Sequence, residues 1–315
     1  MSFRTNTTSF KLPNRAFNHL LFRVIVGVQD ASFCQMKSSS IRLFAIDVDG
    51  TLLDSTHQLR RDVSDSVCRL AASGIDIALA TARSPAAIRE IVRQFDFSLW
   101  LICFSGGWIG ELDLPSLQAK DVRLDQRISY AAARSVLRTA FSHNVEPNVF
   151  TPENWRVRKM NCEILEESRI VNLEPSVVTD LLADGEEPSK IMLISSIDEA
   201  SDVLRRIRES IRSFSTATFS KTNYLEVLPV GVNKAKALAV LTQTLGFELS
   251  QVAAIGDAPN DLEMLKEVGL AIAMGNASSE VKTFAQWVVG TNDEAGVAEA
   301  AHRLLMMAPG TRYAH

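Results

Sequence analysis

Short apolar runs alternate along the chain with segments whose apolar residues recur every three or four positions, and that alternation begins at residue 41. Residues 43–48 form a mostly apolar run broken only by a carboxylate near its end, the pattern of a strand buried on both faces of a parallel sheet. Val63, Val67, Leu70 and Ala71 then repeat at i, i+4, i+7 and i+8, which predicts a helix stopped by Gly74. Residues 75–80 read as a second buried strand. Ser84-Pro85, a capping residue followed by proline at the first helical position, opens a second helix through Ile88, Ile91, Val92 and Phe95. Residues 99–104 are a third strand. The same rhythm returns near the C-terminus, with strands at 252–255, 270–274 and 287–289 and a helix carrying Leu262, Met264 and Leu265. This predicts βαβ units with right-handed crossovers: an α/β fold built on a doubly wound, mostly parallel sheet.

Residues 111–222 separate the two halves of that pattern. They are too many for one crossover and have periodicity of their own. Helices are expected at 126–143, 175–183 and 197–211, and strands near 148–150, 155–160, 191–195, 215–219 and 224–228. The expected organisation is therefore a discontinuous core domain, residues 41–110 plus 223–308, interrupted by an inserted α+β domain at 111–222 that serves as a lid.

Composition agrees with a folded chain of more than one core: 315 residues, 46% hydrophobic and 22% charged. No apolar run approaches the roughly 20 residues of a membrane helix, since the early candidate at 20–28 is broken by Arg23, so no membrane association is expected. The net charge of −4 gives no basic face for a phosphate backbone, so nucleic acid is not an expected partner. Cys34, Cys68, Cys103 and Cys162 contain no C-x-x-C pair and read as reduced thiols. The charge is unevenly spread. Residues 1–40 carry Arg4, Lys11, Arg15, Arg23 and Lys37 against Asp30 alone, which is +4 locally and leaves −8 for the remainder. With nine Ser or Thr, this stretch fits a transit peptide, an extension without a fold of its own, or a mis-chosen start codon. A cytoplasmic protein is expected, or an organellar one if the leader is a transit peptide.

In open parallel sheets the ligand crevice lies beyond the carboxyl ends of the strands, so polar residues placed there are the candidates for chemistry. Asp47-Val48-Asp49-Gly50-Thr51-Leu52 follows the first strand, Thr81-Ala82-Arg83-Ser84 the second, Ser105-Gly106-Gly107 the third and Gly256-Asp257-Ala258-Pro259-Asn260-Asp261 the later one. Asp47 and Asp49 can reach one site if the chain turns at Gly50. A carboxylate can attack phosphorus, and a second one can exchange protons with the leaving alcohol and with water. Asp257 adds a third acid, and three converging carboxylates call for a cation such as Mg²⁺. A calcium loop is excluded by position: counting from Asp47, the sixth residue is Leu52 where glycine is needed and the twelfth is Gln58 where glutamate belongs. Taken singly, Asp49-Gly50 reads as a hairpin turn and Lys234 as a surface lysine.

Together, Asp47-x-Asp49-Gly50-Thr51-Leu52, Thr81 after the second strand, Lys234 in Gly231-Val232-Asn233-Lys234 and Gly256-Asp257-x-x-Asn260-Asp261 resemble, in order and spacing, the haloacid dehalogenase (HAD) superfamily. The Gly-Asp-x-x-Asn-Asp form, Leu-Ala-Thr-Ala-Arg at 79–83 and the large insertion look most like its Cof-like phosphatases, the type IIB hydrolases. The resemblance implies a Rossmann-like core with an inserted α+β cap. It implies Asp47 as nucleophile and metal ligand, Asp49 as general acid/base with its carbonyl on Mg²⁺, and Asp257 as a further metal ligand. Thr81 and Lys234 would hold phosphoryl oxygens, and Asn260 and Asp261 would complete the metal shell or orient Lys234. Asn260 thus counts with the phosphate-binding residues and Asp261 with the metal ligands. The implied activity is Mg²⁺-dependent hydrolysis of small phosphomonoesters, of sugars or other metabolites, through an aspartyl phosphate. A phosphomutase or phosphotransferase on sugar phosphates and a non-catalytic metabolite sensor are the alternatives. Ser105-Gly106-Gly107 departs from the Asn-Gly-Ala common in these phosphatases. In the lid, Arg156 and Arg158 on an expected strand share a face by alternation, a solvated face or a contact to a second anionic group of the substrate. Oligomeric state is not legible.

Overall fold

The computed structural model describes residues 40–114, 116–195 and 200–307. The leader reading of residues 1–40 thus lies, but for Ser40, outside the described residues, as does the start of the helix expected from 197. Strand β1 (Leu43–Asp47) is the centre of an eight-stranded sheet; Leu43, Phe44, Ala45 and Ile46 are wholly buried, which a strand with parallel neighbours on both edges and helices on both faces requires. On one side it pairs in parallel with β2 (Asp76–Ala80), which pairs with β3 (Trp100–Cys103). On the other side it pairs in parallel with β12 (Val252–Gly256), followed by β13 (Leu270–Ala273) and β14 (Trp287–Val288). Successive strands move outward from β1 in one direction early in the chain and in the other late, so the boundary between β1 and β12 is the switch point of the sheet, where a crevice opens at the carboxyl ends. The register Ile46↔Ile255 brings Asp47 level with Gly256, one residue short of Asp257.

The helices form where their apolar spacing and caps predict. α1 (Arg61–Ala72) buries Val63, Val67 and Leu70 and ends before Gly74 at φ +91°. α2 (Pro85–Val92) is capped by Ser84, whose side chain accepts from the Ala87 N–H. Beyond β3 the sheet continues through two antiparallel strands that the sequence pattern did not announce, β4 (Trp108–Leu112) and β5 (Ala119–Asp125). β5 is an edge strand, exposed along nearly its whole length, and with Lys120, Asp121, Arg123 and Asp125 among its seven residues it presents no apolar run to read.

A second sheet is built from strands between residues 147 and 228, in the order β10 (Thr216–Lys221), β11 (Tyr224–Leu228), β9 (Lys190–Ile194), β6 (Pro147–Phe150), β7 (Trp155–Val157), β8 (Ser176–Val177). Sheet membership changes after residues 125 and 228. Alternation sorts its residues onto two faces. Val149, Ile191, Leu193, Leu225 and Val227 pack with α3 (Tyr130–Ser142) and α5 (Ala200–Ile211) into a separate core. Phe150, Met192, Ile194, Tyr224 and Leu228 face the other way and join the core of the first sheet.

One expectation between residues 126 and 228 fails, and one helix there was not foreseen. The helix expected at 175–183 is absent: Ser176 and Val177 extend β7 in parallel instead, pairing with Arg156 and Val157, because β-branched residues fit a sheet edge. A helix the pattern missed, α4 (Cys162–Val171), lies upstream. Only Ile164 and Val171 of it are buried while Leu165 is exposed, so its apolar stripe is faint; its caps, Asn161 and the left-handed Asn172, were the available signal.

Candidate active site

The loop after β1 brings Asp49 and Thr51 back over the sheet end. Leu53 N–H closes it on the Val48 carbonyl at 3.0 Å, and the turn depends on Gly50 at φ +81°. A Cβ on Gly50 would stand 2.5 Å from Asp257 Oδ2, so glycine is needed here for both backbone conformation and space. Gly50→Ala is therefore expected to cost about 1–2 kcal/mol of stability from the left-handed backbone. It is also expected to lower kcat/KM by roughly 10²-fold, because Asp257 must shift by an ångström; denaturant unfolding and steady-state kinetics on the same preparation check both.

Lys234 opens α6 (Lys234–Leu245), whose cap, Asn233, accepts from Lys236 N–H at 2.8 Å. Its ammonium is 1% exposed and bridges two acids, 2.5 Å from Asp47 Oδ1 and 2.7 Å from Asp261 Oδ1. Asp261 Oδ2 accepts the amides of Asp257 and Ala258 at 3.2 and 3.1 Å. Both oxygens of Asp261 are thus engaged in fixing the β12 loop and the lysine. Asp257 accepts from Thr51 Oγ1 at 3.1 Å, and Asn276, a residue the motifs did not point to, donates to the Gly50 carbonyl at 2.8 Å beside it. Asp47, Asp257 and Asp261 each offer an oxygen within 4.8 Å of the others. Burial raises the carboxyl of Asp47 well above its usual range, reinforced by the charge of Asp261. Burial, with Asp261 again second, pushes Asp257 up to about 6. Burial would lower Lys234, but the charges of Asp261 and Asp47 outweigh it and hold the ammonium protonated. One lysine against three clustered carboxylates leaves negative charge for which a second cation is the natural counterpart.

Asp49 faces away from this cluster. Arg83 clamps it with Nε and Nη2 at 2.9 and 2.6 Å, and His57 Nδ1 lies 3.8 Å away. Burial opposes ionisation of Asp49, but the nearby His57 and the two bonds from Arg83 outweigh it and hold the carboxyl well below its usual range. Arg83 stands in a sequence string singled out for Thr81, yet its partner lies 34 residues upstream, which no local pattern reveals. Thr81 is wholly buried at the end of β2, its Oγ1 accepting from Arg83 N–H at 3.1 Å. Asn260 lines the cleft, and its buried Oδ1 has no hydrogen-bond partner among the described residues.

After β3, Phe104, Ser105 and Gly106 are all left-handed, at φ 51°, 55° and 110°, tied to the neighbouring strand end by Ser105 N–H to the Thr81 carbonyl at 2.9 Å. Gly106 lies against the Asn233 carbonyl, which a Cβ would meet at 2.3 Å. Ser105 shares a small cavity with Asn233, Lys234 and Asn260, so the unusual serine lies on the lysine side of the site.

The cleft holding Asp47 and Asp49 is walled by both sheets, with Phe150, Met192, Phe219 and Tyr224 from the second. Arg156 and Arg158, read from the sequence as either a solvated face or a substrate contact, are not among its lining residues. Arg156 gives its guanidinium to Glu186 at 2.6 and 2.5 Å, and Arg158, beyond the end of β7, lies 4.8 Å over the Phe141 ring. Lys190 and Lys221 line the cleft instead.

Acids at the ends of β1 and β12, with a buried lysine between them at the switch point, define a hydrolase of the haloacid dehalogenase class. The model of the haloacid dehalogenase-like hydrolases matches residues 44–300, and the chain belongs to that family. Over 241 residues it is 31% identical to the HMP-PP phosphatase of Klebsiella pneumoniae (strain 342), covering 76% of this chain and 86% of that one. A haloacid dehalogenase-like hydrolase from Bacteroides thetaiotaomicron superposes with a TM-score of 0.75 at 25% identity, over 84% of this chain and 99% of that one. Another from B. subtilis gives 0.74 at 25% identity, over 84% and 99%. The protein is a phosphoric monoester hydrolase of the HAD type, in the Cof-like branch its motifs resembled. None of its described helices is long and apolar enough to cross a membrane.

Proposed function

We propose that the protein is a Mg²⁺-dependent phosphatase that hydrolyses small phosphomonoesters, of sugars or other polar metabolites, through an aspartyl phosphate on Asp47. The observation that carries this reading is the Asp47 carboxylate held 2.5 Å from the buried Lys234 ammonium, beside Asp257, at the switch point of the sheet. The donors are all hard oxygens, which suits Mg²⁺. Asp47 and Asp257 would hold the ion with the Asp49 backbone carbonyl, and when bound it would neutralise charge on the phosphoryl oxygens. Asp261, with both oxygens engaged, acts by positioning Lys234 and the β12 loop.

In the first step an Asp47 oxygen attacks phosphorus as the bond to the leaving alcohol breaks, and Asp49 supplies the proton to that alcohol. The Arg83-bound form of Asp49 is the ionised one, so donation requires Asp49 to gain a proton and leave Arg83; the ionised form is the one that accepts the proton of water in the second step. Water then attacks phosphorus, releasing phosphate and restoring Asp47. Lys234, Thr81 and Asn260 bind the equatorial oxygens. The second sheet serves as the cap, excluding water from the cleft and contacting the alcohol.

Purified protein is expected to release phosphate from 4-nitrophenyl phosphate with Mg²⁺ and to lose that activity in excess EDTA; equal rates in both would overturn the reading. Asp49→Asn is expected to reduce kcat by about 10²–10⁴-fold. Its Mg²⁺ affinity should remain near wild type in calorimetry, because the Asp49 side chain is turned to Arg83 and away from the acid cluster.

A further inference from the structure

The cleft face of the second sheet carries a buried charged pair, Lys190 and Glu226, beside Phe150 and Met192. Glu226 on β11 stands in register opposite Met192 on β9, and Lys190 opposite Phe150 on β6. Both charged residues are about nineteen-twentieths buried, Lys190 at 5% and Glu226 at 4% exposed. Their charges lie 3.6 Å apart, near enough to offset one another but beyond a hydrogen bond. The ammonium donates instead to the Ala82 carbonyl at 2.8 Å, next to Thr81 on the first sheet. Glu226 Oε2 is left buried with no hydrogen-bond partner, in the wall of the cleft that contains Asp47. An unsatisfied buried carboxylate oxygen is costly, and a charge-neutral apolar pair would fit this face at less cost.

We infer that Glu226 is a specificity-determining residue: its free oxygen accepts a hydrogen bond from an N–H or O–H donor on the alcohol portion of the substrate. This rests on the phosphatase reading above and narrows its substrate class. The surrounding walls, Phe150, Met192, Phe219 and Tyr224, suit a flat or apolar body, so the substrate is a phosphate ester whose leaving group combines such a body with a hydrogen-bond donor. Lys190 ties this wall to the strand end that carries Thr81, so the donor is read at a fixed distance from the phosphoryl group.

Matched aryl phosphates test this. The 3- and 4-aminophenyl phosphates differ from the 3- and 4-methylphenyl phosphates mainly in the donor. Wild type is expected to prefer at least one amino compound over its methyl counterpart by about 10-fold or more in kcat/KM, as for a hydrogen bond to a charged group. In Glu226→Leu that ratio is expected to fall to near one, and in Glu226→Gln, which keeps an acceptor, part of it should return. The ratio within each enzyme is the readout, since a general loss of folding or chemistry does not move it. The double variant Lys190→Met with Glu226→Leu removes both charges, and its ratio should likewise be flat. A ratio near one in wild type, or one that survives Glu226→Leu, overturns the inference while leaving the phosphatase reading intact if 4-nitrophenyl phosphate is hydrolysed. If wild type hydrolyses none of these compounds, both fall.

Discussion

Asp47→Asn is expected to eliminate phosphate release, with kcat falling on the order of 10⁴–10⁶-fold, the scale seen when a nucleophile is removed. The amide is nearly isosteric but does not attack phosphorus, and the neighbouring acids are engaged elsewhere: Asp261 by Lys234 and two backbone amides, Asp49 by Arg83, and Asp257 by Thr51. The variant should fold. Asp47 is held above its usual range by burial and by Asp261, so removing its charge relieves a repulsion, and Lys234 retains Asp261 as partner. Rapid-quench measurement of phosphate release alongside thermal unfolding checks both halves. Turnover within tenfold of wild type in a folded variant would refute the nucleophile assignment.

Lys234→Met is expected to be the more damaging substitution for the fold. It leaves Asp47 and Asp261, both buried, facing each other without the ammonium that now bridges them. Breaking a buried ion pair from one side costs roughly 3–5 kcal/mol, which should appear as a large drop in the urea midpoint measured in EDTA. Added Mg²⁺ should recover part of the loss, because a cation at the remaining carboxylates replaces some of the missing charge. A variant as stable as wild type in EDTA would mean that the lysine is not the counter-ion it is taken to be. Activity should be lost in either buffer, since the same ammonium is assigned to the phosphoryl oxygens.

The parallel strands of the first sheet were legible because each is a short, mostly apolar run, and Asp47, Thr81 and Asp257 stand at or directly after the end of one. Asp47, Thr81, Lys234 and Asp257 needed only local strings to be placed. What was not legible depended on partners far along the chain. Arg83 was visible as a residue, but its clamp on Asp49 was not. β5 is an exposed edge strand in which four of seven residues are charged, and Ser176–Val177 became a strand only because β7 offered an edge. Arg156 and Arg158 showed how little alternation alone says about a ligand: Glu186 and Phe141 take their guanidinium groups. Nothing in the sequence singled out Glu226, which is buried on the face of β11 whose Tyr224 and Leu228 join the core of the first sheet.

The pairing of β1 with β12 also sets an order of events during synthesis. Asp47 and its counter-ion Lys234 are 187 residues apart, and at about 5–20 residues per second the ribosome makes the first roughly 10–40 s before the second. Until β12 follows, β1 has one open edge, and until Lys234 is made Asp47 lacks its lysine partner. The nascent enzyme therefore passes through a long interval in which half of a sheet waits for its neighbour, a stage at which chaperones have a defined target.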